Sequence, residues 1–261
     1  MRLDEDYSNA KYIPGGEAFP PRWAKAAAAF RELNAGTARL GVVYGPGERN
    51  WFDLFLPATA PKGLAVFLHG GYWLAFSPRD FSHLAAGALA RGWAVAMPAY
   101  TLAPAARIAA MTAEAAAAVT AAAGLVEGPI VVTGHSAGGH LAARMACEAV
   151  LPEDVADRLV KVVPISPLAD LGPLRETTMN EKLGIDAEEA IEESPAFALN
   201  IPDLAVHVWV GGAERPAFLD QARWLGEAWG VRVTVEPGRH HFDVIEGLER
   251  ADTALMAALL D

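Results

Sequence analysis

The sequence predicts an α/β fold, a mostly parallel central sheet with helices on both faces, in a single domain over residues 1–261. Three observations carry this expectation. Short β-rich runs alternate with longer helical stretches along the whole chain. Several runs, such as Ala65-Val66-Phe67-Leu68 and Ile130-Val131-Val132, are continuously apolar, as strands covered on both faces are. The remaining composition is that of a globular protein. Alanine supplies 53 of the 261 residues, and without it the 52% hydrophobic share drops to about 32%. The buried area must then come from Val, Ile, Leu and Phe, while alanine supplies helix propensity and close approach.

In chain order, a helix is expected over Pro21–Asn34, then strands at Trp51–Leu56 and Leu64–Leu68. A helix over Asp80–Arg91 precedes a strand at Trp93–Met97. The run Ala105–Val126 is apolar enough to suggest a membrane span. It carries Arg107, Glu114 and Gly124 and is mostly alanine, so a packed helix over Ala105–Ala123 is expected instead. A strand at Ile130–Thr133, a helix over Gly138–Val150 and a strand at Lys161–Ile165 follow. Leu168–Asn200 breaks the rhythm with Pro, Gly, Met and the charged patch Asp186–Glu189, and reads as an insertion, a lid or pocket segment. Strands at Val206–Val210 and Val231–Val235, with helices over Pro216–Trp229 and Phe242–Leu260, complete the chain.

Composition also excludes functions. The single cysteine, Cys147, permits no internal disulfide and no zinc cluster. The N-terminal run Met1–Asp6 is acidic where a signal peptide is basic and then apolar, so a cytoplasmic location is expected. A net charge of −11 without a basic run argues against nucleic acid as a partner. Neither a membrane nor a cofactor is implied, the scattered histidines lack metal-ligand spacing, and nothing in the chain speaks for or against oligomerisation.

The chemistry concentrates at Gly134-His135-Ser136-Ala137-Gly138, a Gly-x-Ser-x-Gly pattern between an apolar strand and a helical stretch. A strand-to-helix turn this tight leaves no room for side chains at Gly134 or Gly138, and it lifts the Ser136 hydroxyl clear of the sheet. The following helix points its N-terminus at the site, which favours developing negative charge. His69-Gly70-Gly71-Tyr72-Trp73 ends another strand, and its glycines bring backbone N–H groups close to a substrate. Gly70, Gly71 and Ala137 are therefore the candidate oxyanion donors, with His69 anchoring the loop. The histidine that serves such a serine follows it in the chain. His241, directly before Phe242-Asp243, is the first choice and His240 the alternative. Glu214, just past a strand and before the helix opened by Pro216, is the candidate acid, with Asp170 as runner-up. Asp220 and Asp243 are expected to be structural, and Cys147 to pack behind Ser136.

These residues resemble the α/β-hydrolase superfamily, and within it the kynurenine formamidase (arylformamidase) and esterase group. The likeness runs over most of the chain: His69–Trp73, Pro98–Pro104, Pro173-Leu174 with Thr178, Asn180 and Leu183, Ser194-Pro195, Gly211–Phe218 and His241-Phe242. Arg215 and Ala217 stand where that group usually has Ser and Glu, and Ser166-Pro167 where Ser-Gly is common. The resemblance implies a serine hydrolase of a small-molecule acyl substrate, first an N-formylkynurenine-type aryl formamide and second a small ester or thioester. It implies no metal, since the zinc-dependent formamidases have another fold and a His-rich motif. Tyr72, Trp73, Met179 and Asn180 are the candidate substrate-pocket residues. A non-catalytic binding module on the same fold is the alternative of a different class.

Overall fold

The computed structural model describes Leu3–Asp261; Met1 and Arg2 of the acidic run lie outside the described residues. The strands are β1 (Ala38–Val43), β2 (Trp51–Phe55), β3 (Leu64–Leu68), β4 (Ala94–Pro98), β5 (Ile130–His135), β6 (Leu159–Ile165), β7 (Ala205–Gly211) and β8 (Arg232–Glu236). They form one sheet in the order β1-β2-β4-β3-β5-β6-β7-β8, antiparallel at β1, β2 and β4 and parallel from β4 onward. The helices are α1 (Phe19–Leu33), α2 (Ala86–Ala90), α3 (Ile108–Ala123), α4 (Ala137–Met145), α5 (Glu153–Ala156), α6 (Asn180–Leu183), α7 (Ala187–Glu192), α8 (Pro216–Trp229) and α9 (Ala254–Leu260).

Two packed layers explain the continuous apolar strands. Leu64, Val66, Leu68, Ile130 and Val132 face α3 and α4, while Ala65, Phe67, Val131 and Val163 face α1, α2 and α9. The alanine-rich α3 buries Ile108, Met111, Ala115, Val119 and Ala122 completely, so alanine lets this helix lie close to the sheet. No helix of the structure is long and apolar enough to cross a membrane.

Four differences from the expected elements have physical causes. β1 had no expected counterpart: it is an edge strand with no buried residue, bent by a bulge where Gly41 takes φ +70°. The stretch 80–91 breaks into 3₁₀ turns at Pro78–Asp80 and Ser82–Ala85 before α2, because the Ser77–Asp80 capping box closes a separate turn. Residues 242–260 divide into a 3₁₀ segment Val244–Glu249 and α9, which restarts at the capping Thr253. α4 ends at Met145, short of Val150, and Cys147 beyond it bridges to Asn200.

Register places the functional loops. Leu68 pairs with Gly134, so the loop after β3 leaves the sheet beside the turn after β5. Gly211 pairs with Glu236, so the loops after β7 and β8 leave side by side. All four emerge at the carboxyl ends of parallel strands, where open α/β sheets form their clefts.

Candidate active site

Ser136 sits at the turn from β5 to α4 with φ 56° and ψ −117°, a left-handed conformation that side chains rarely hold. Sterics at the neighbouring glycines enforce it. A Cβ at Gly134 would lie 2.1 Å from the Gly138 carbonyl oxygen, and one at Gly138 would lie 2.0 Å from that of Leu68. The backbone is tied from both sides: Ser136 N–H donates to Ile165 at 2.9 Å, and its carbonyl accepts from His140 N–H at 2.9 Å.

The loop after β3 packs onto this turn. A Cβ on Gly70 would come 2.8 Å from the His135 carbonyl oxygen and 3.2 Å from Ser136 Cβ, so only glycine allows this approach. His69 holds the loop, with Nδ1 2.8 Å from the Gly70 carbonyl and its ring stacked on Tyr100 at 4.4 Å. The Tyr100 hydroxyl donates to the His69 carbonyl at 2.8 Å. Burial pushes the His69 pKa down to about 3, so the ring is neutral and its Nδ1–H is free to donate. Tyr72, Trp73 and Phe76 all hold positive φ, which marks the loop as strained where it borders Ser136.

On the other side, the loops after β7 and β8 bring Glu214 and His241 together. Glu214 Oε2 lies 2.6 Å from His241 Nδ1, with both side chains almost fully buried. The other carboxylate oxygen accepts from the Ser166 hydroxyl at 2.5 Å and from Gly211 N–H at 2.8 Å. A carboxylate so held can fix the imidazole tautomer and stabilise its cation. Gly211 leaves this room, since a Cβ there would lie 3.1 Å from Glu214 Oε1. Phe218 packs on His241 at 4.2 Å between ring centroids.

The runner-up residues are engaged elsewhere. Asp170 Oδ1 accepts from Gly172 N–H at 2.7 Å. His240 caps its own loop, taking Phe242 and Asp243 N–H on Nδ1 at 3.1 and 3.2 Å. Cys147 is buried beyond the end of α4, and burial pushes its thiol up to about 11, far from a reactive thiolate. Among the described residues, no group of three or more His, Cys, Asp or Glu could hold a metal ion.

A cavity of about 550 Å³ opens onto Ser136 and His241. Gly70, Gly71, Tyr72 and Met179 line it, with Trp23, Phe76, Phe81 and Phe242 adding aromatic surface. Two expected pocket residues do not line it. Trp73 is fully buried against His140, 5.1 Å between rings, because its left-handed backbone turns the indole into the core. Asn180 spends its amide closing the turn to Ile185, accepting at 2.8 Å and donating at 3.0 Å. Between them Met179 and Thr178 reach the cavity from the 168–200 segment.

The N-terminal segment is the wall that sequence reasoning missed. Asp4, Tyr7, Ser8, Asn9 and Ala10 all line the cavity. Asp4 Oδ1 accepts from Thr178 N–H and hydroxyl, both at 2.6 Å, and Leu3 N–H donates to Glu176 at 3.1 Å. Tyr7 is buried, with its carbonyl accepting from the Tyr72 hydroxyl at 2.6 Å and its hydroxyl from Gln221 Nε2 at 2.9 Å. The one sequence signal is a tyrosine inside an otherwise polar run, Asp4–Asn9.

A serine on a strained strand-to-helix turn, a buried carboxylate–imidazole pair and this sheet order define the class. The chain belongs to the alpha/beta hydrolase family, whose model matches residues 65–197. Among more specific relatives, it is 29% identical over 237 residues to a kynurenine formamidase of Salmo salar, covering 85% of this chain and 80% of that protein. A kynurenine formamidase of Danio rerio is 27% identical over 281 residues, covering 99% and 94%. A crystal structure of a candidate thioesterase from Silicibacter sp. TM1040 superimposes with TM-score 0.98 at 55% identity, covering 100% of both chains. Esterase 2 of Thermogutta terrifontis, at 24% identity and TM-score 0.63 over 78% of this chain and 84% of that one, shares the fold.

Proposed function

We propose that the protein is a serine hydrolase that transfers an acyl group from a small substrate to Ser136 and then to water. The observation that carries this reading is the 2.6 Å contact between Glu214 and His241 Nδ1, in a cavity whose floor is Ser136. Ser136 Oγ attacks the substrate carbonyl and its proton passes to His241 Nε2, while Glu214 holds the imidazole on Nδ1. Gly70, Gly71 and Ala137 N–H groups receive the tetrahedral oxyanion. Collapse breaks the bond to the leaving group, which departs with the proton from His241, and water then hydrolyses the acyl-serine.

The first substrate reading is an aryl formamide of the N-formylkynurenine type, cleaved to formate and the arylamine. The ring of Trp23, Tyr72, Phe76, Phe81 and Phe242 around the cavity suits an aryl group, and the salmon and zebrafish relatives bear the name of that activity. The second reading, a small ester or thioester, is favoured by the 55% identical candidate thioesterase. Among the described residues no lysine or arginine lines the cavity, whereas Asp4 does, which speaks against a thioester carrying phosphates. Comparing kcat/KM for N-formylkynurenine with p-nitrophenyl acetate and a short thioester tests the order. A formamide turned over more than about 100-fold worse, roughly 2.7 kcal/mol of transition-state binding, would reverse it. Labelling by a fluorophosphonate probe separates both readings from a non-catalytic binding module, which would stay unlabelled.

A further inference from the structure

β6 runs into Ile165-Ser166-Pro167, and this strand end touches both halves of the candidate site. The Ile165 carbonyl accepts from Ser136 N–H at 2.9 Å. The next residue, Ser166, donates its hydroxyl to Glu214 Oε1 at 2.5 Å. Two consecutive residues therefore hold the serine turn with a backbone group and the carboxylate with a side chain. No step of the proposed acyl transfer involves Ser166, and it does not line the cavity.

The backbone of Ser166 is strained. The residue is fully buried and holds φ 47°, in the left-handed region that side chains rarely occupy. Pro167 follows it, and a residue before proline is driven further toward extended backbone. Neighbouring elements enforce the conformation. Ser166 N–H donates to the Trp209 carbonyl at 2.7 Å, which ties the turn to β7. A Cβ at Gly139 would lie 2.6 Å from the Ile165 carbonyl oxygen and 3.1 Å from Pro167 Cα, so α4 packs directly against it. Strain that the surroundings over-determine in this way points to function, and what it delivers here is a hydroxyl set against Glu214.

Glu214 needs such a partner. Its side chain is fully buried, with His241 Nδ1 on Oε2 at 2.6 Å, and the Ser166 hydroxyl and Gly211 N–H on Oε1 at 2.5 and 2.8 Å. A glutamate has one more side-chain torsion than an aspartate, so the imidazole contact by itself leaves the carboxylate free to turn. Gly211 donates from the end of β7 and Ser166 from the end of β6, and donors on two strands fix the carboxylate plane. An ionised carboxylate only accepts, and a hydroxyl can rotate its proton to meet it.

We propose that Ser166 is a positioning residue: by clamping Glu214 Oε1 it keeps Oε2 aimed at His241 Nδ1, and so holds the imidazole in the orientation that serves Ser136. The inference rests on the serine-hydrolase reading above. The same strand end carries the Ile165–Ser136 bond, so the nucleophile turn and the acid are held in register through adjacent residues.

Steady-state kinetics with p-nitrophenyl acetate test the role. Ser166→Ala is expected to lower kcat about tenfold with KM within about twofold of wild type, because the hydroxyl lies behind the imidazole and away from the substrate. A residue that acts through Glu214 has nothing to act through once that carboxylate is gone. Ser166→Ala added to Glu214→Ala is therefore expected to cost less than about threefold further. Rates of Ser136 labelling by a fluorophosphonate probe give the same comparison where turnover is too slow to follow. A kcat for Ser166→Ala within about threefold of wild type, a loss carried by KM, or a further loss of threefold or more in the Glu214→Ala background overturns the role. Should Ser166→Ala fail to fold, Ser166→Gly decides: glycine takes the positive φ without strain and lacks the hydroxyl, so the same loss is expected, and wild-type kcat refutes the clamp. A fluorophosphonate adduct on Ser136 of the wild type keeps the hydrolase reading whatever the variants do. No adduct overturns that reading and the inference with it.

Discussion

One wall of the cavity is made by loops at the ends of β3, β5, β7 and β8, the other by Asp4–Ala10 and Thr178–Met179. The first wall has sheet register beneath it, and each of its side chains follows a strand by a few residues. The second has no such frame. It is fastened by contacts between distant parts of the chain, Asp4 to Thr178, Tyr7 to Tyr72 and Gln221, Arg215 to Tyr12. The difference teaches where the proposed chemistry and selectivity would be stored: the candidate reacting groups on the rigid sheet ends, the candidate substrate contacts on segments that can vary without disturbing them.

Substitutions test that division. Ser136→Ala on the first wall should lower kcat on p-nitrophenyl acetate by about 10³–10⁶-fold with the fold intact, and near wild-type turnover would sink the assignment. Glu214→Ala should cost about 10²–10⁴-fold in kcat, because the imidazole loses its orienting partner, while Asp170→Ala should cost far less. An equal loss in the two would erase the distinction drawn between these carboxylates. Trp73→Ala should destabilise the protein by about 3–5 kcal/mol in denaturant unfolding, as for any large aromatic removed from a core. A change in KM without that loss would return Trp73 to the pocket. On the second wall, Met179→Ala should raise KM for the preferred substrate about tenfold with kcat little changed, read from steady-state kinetics.

Stability also depends on pH, through histidines beneath the first wall. Burial lowers the pKa of His69 and of His140 to about 3, against the ordinary value of 6.5. Between those values the unfolded chain binds the protons that the folded chain refuses. Their contribution is therefore fully present above pH 6.5 and is lost as the pH falls toward 3. Each adds a slope of about 1.4 kcal/mol per pH unit in that window. Denaturant unfolding from pH 7 to pH 5 should show the fall, and His140→Gln should flatten it; a slope unchanged in that variant removes His140 from the account.

Much of the first wall was legible in sequence because its determinants are local. Gly134 and Gly138 announce the turn because any Cβ there meets backbone within about 2 Å, and such a constraint is written into adjacent residues. The same holds for His69-Gly70-Gly71 and for the continuous apolar runs of β3 and β5. Sequence distinguishes Glu214 from Asp170 and His241 from His240 less sharply, since both members of each pair follow strands; the β7–β8 pairing brings Glu214 and His241 into contact. Trp73 and Asn180 show the limit. Both adjoin cavity residues in sequence, yet a left-handed backbone turns one inward and a loop-closing contact occupies the amide of the other.

Taken by itself, the sequence determined the α/β architecture, the strained serine turn and the glycine loop beside it, because each follows from periodicity or from sterics within a few residues. Tertiary structure alone decided the carboxylate–imidazole pair and the N-terminal wall. Those depend on residues that register and packing bring together across as many as 27 positions for His241 and Glu214, and 214 for Tyr7 and Gln221. No local pattern encodes a contact at that separation; sheet register brings His241 to Glu214, and the packing of the N-terminal segment brings Tyr7 to Gln221.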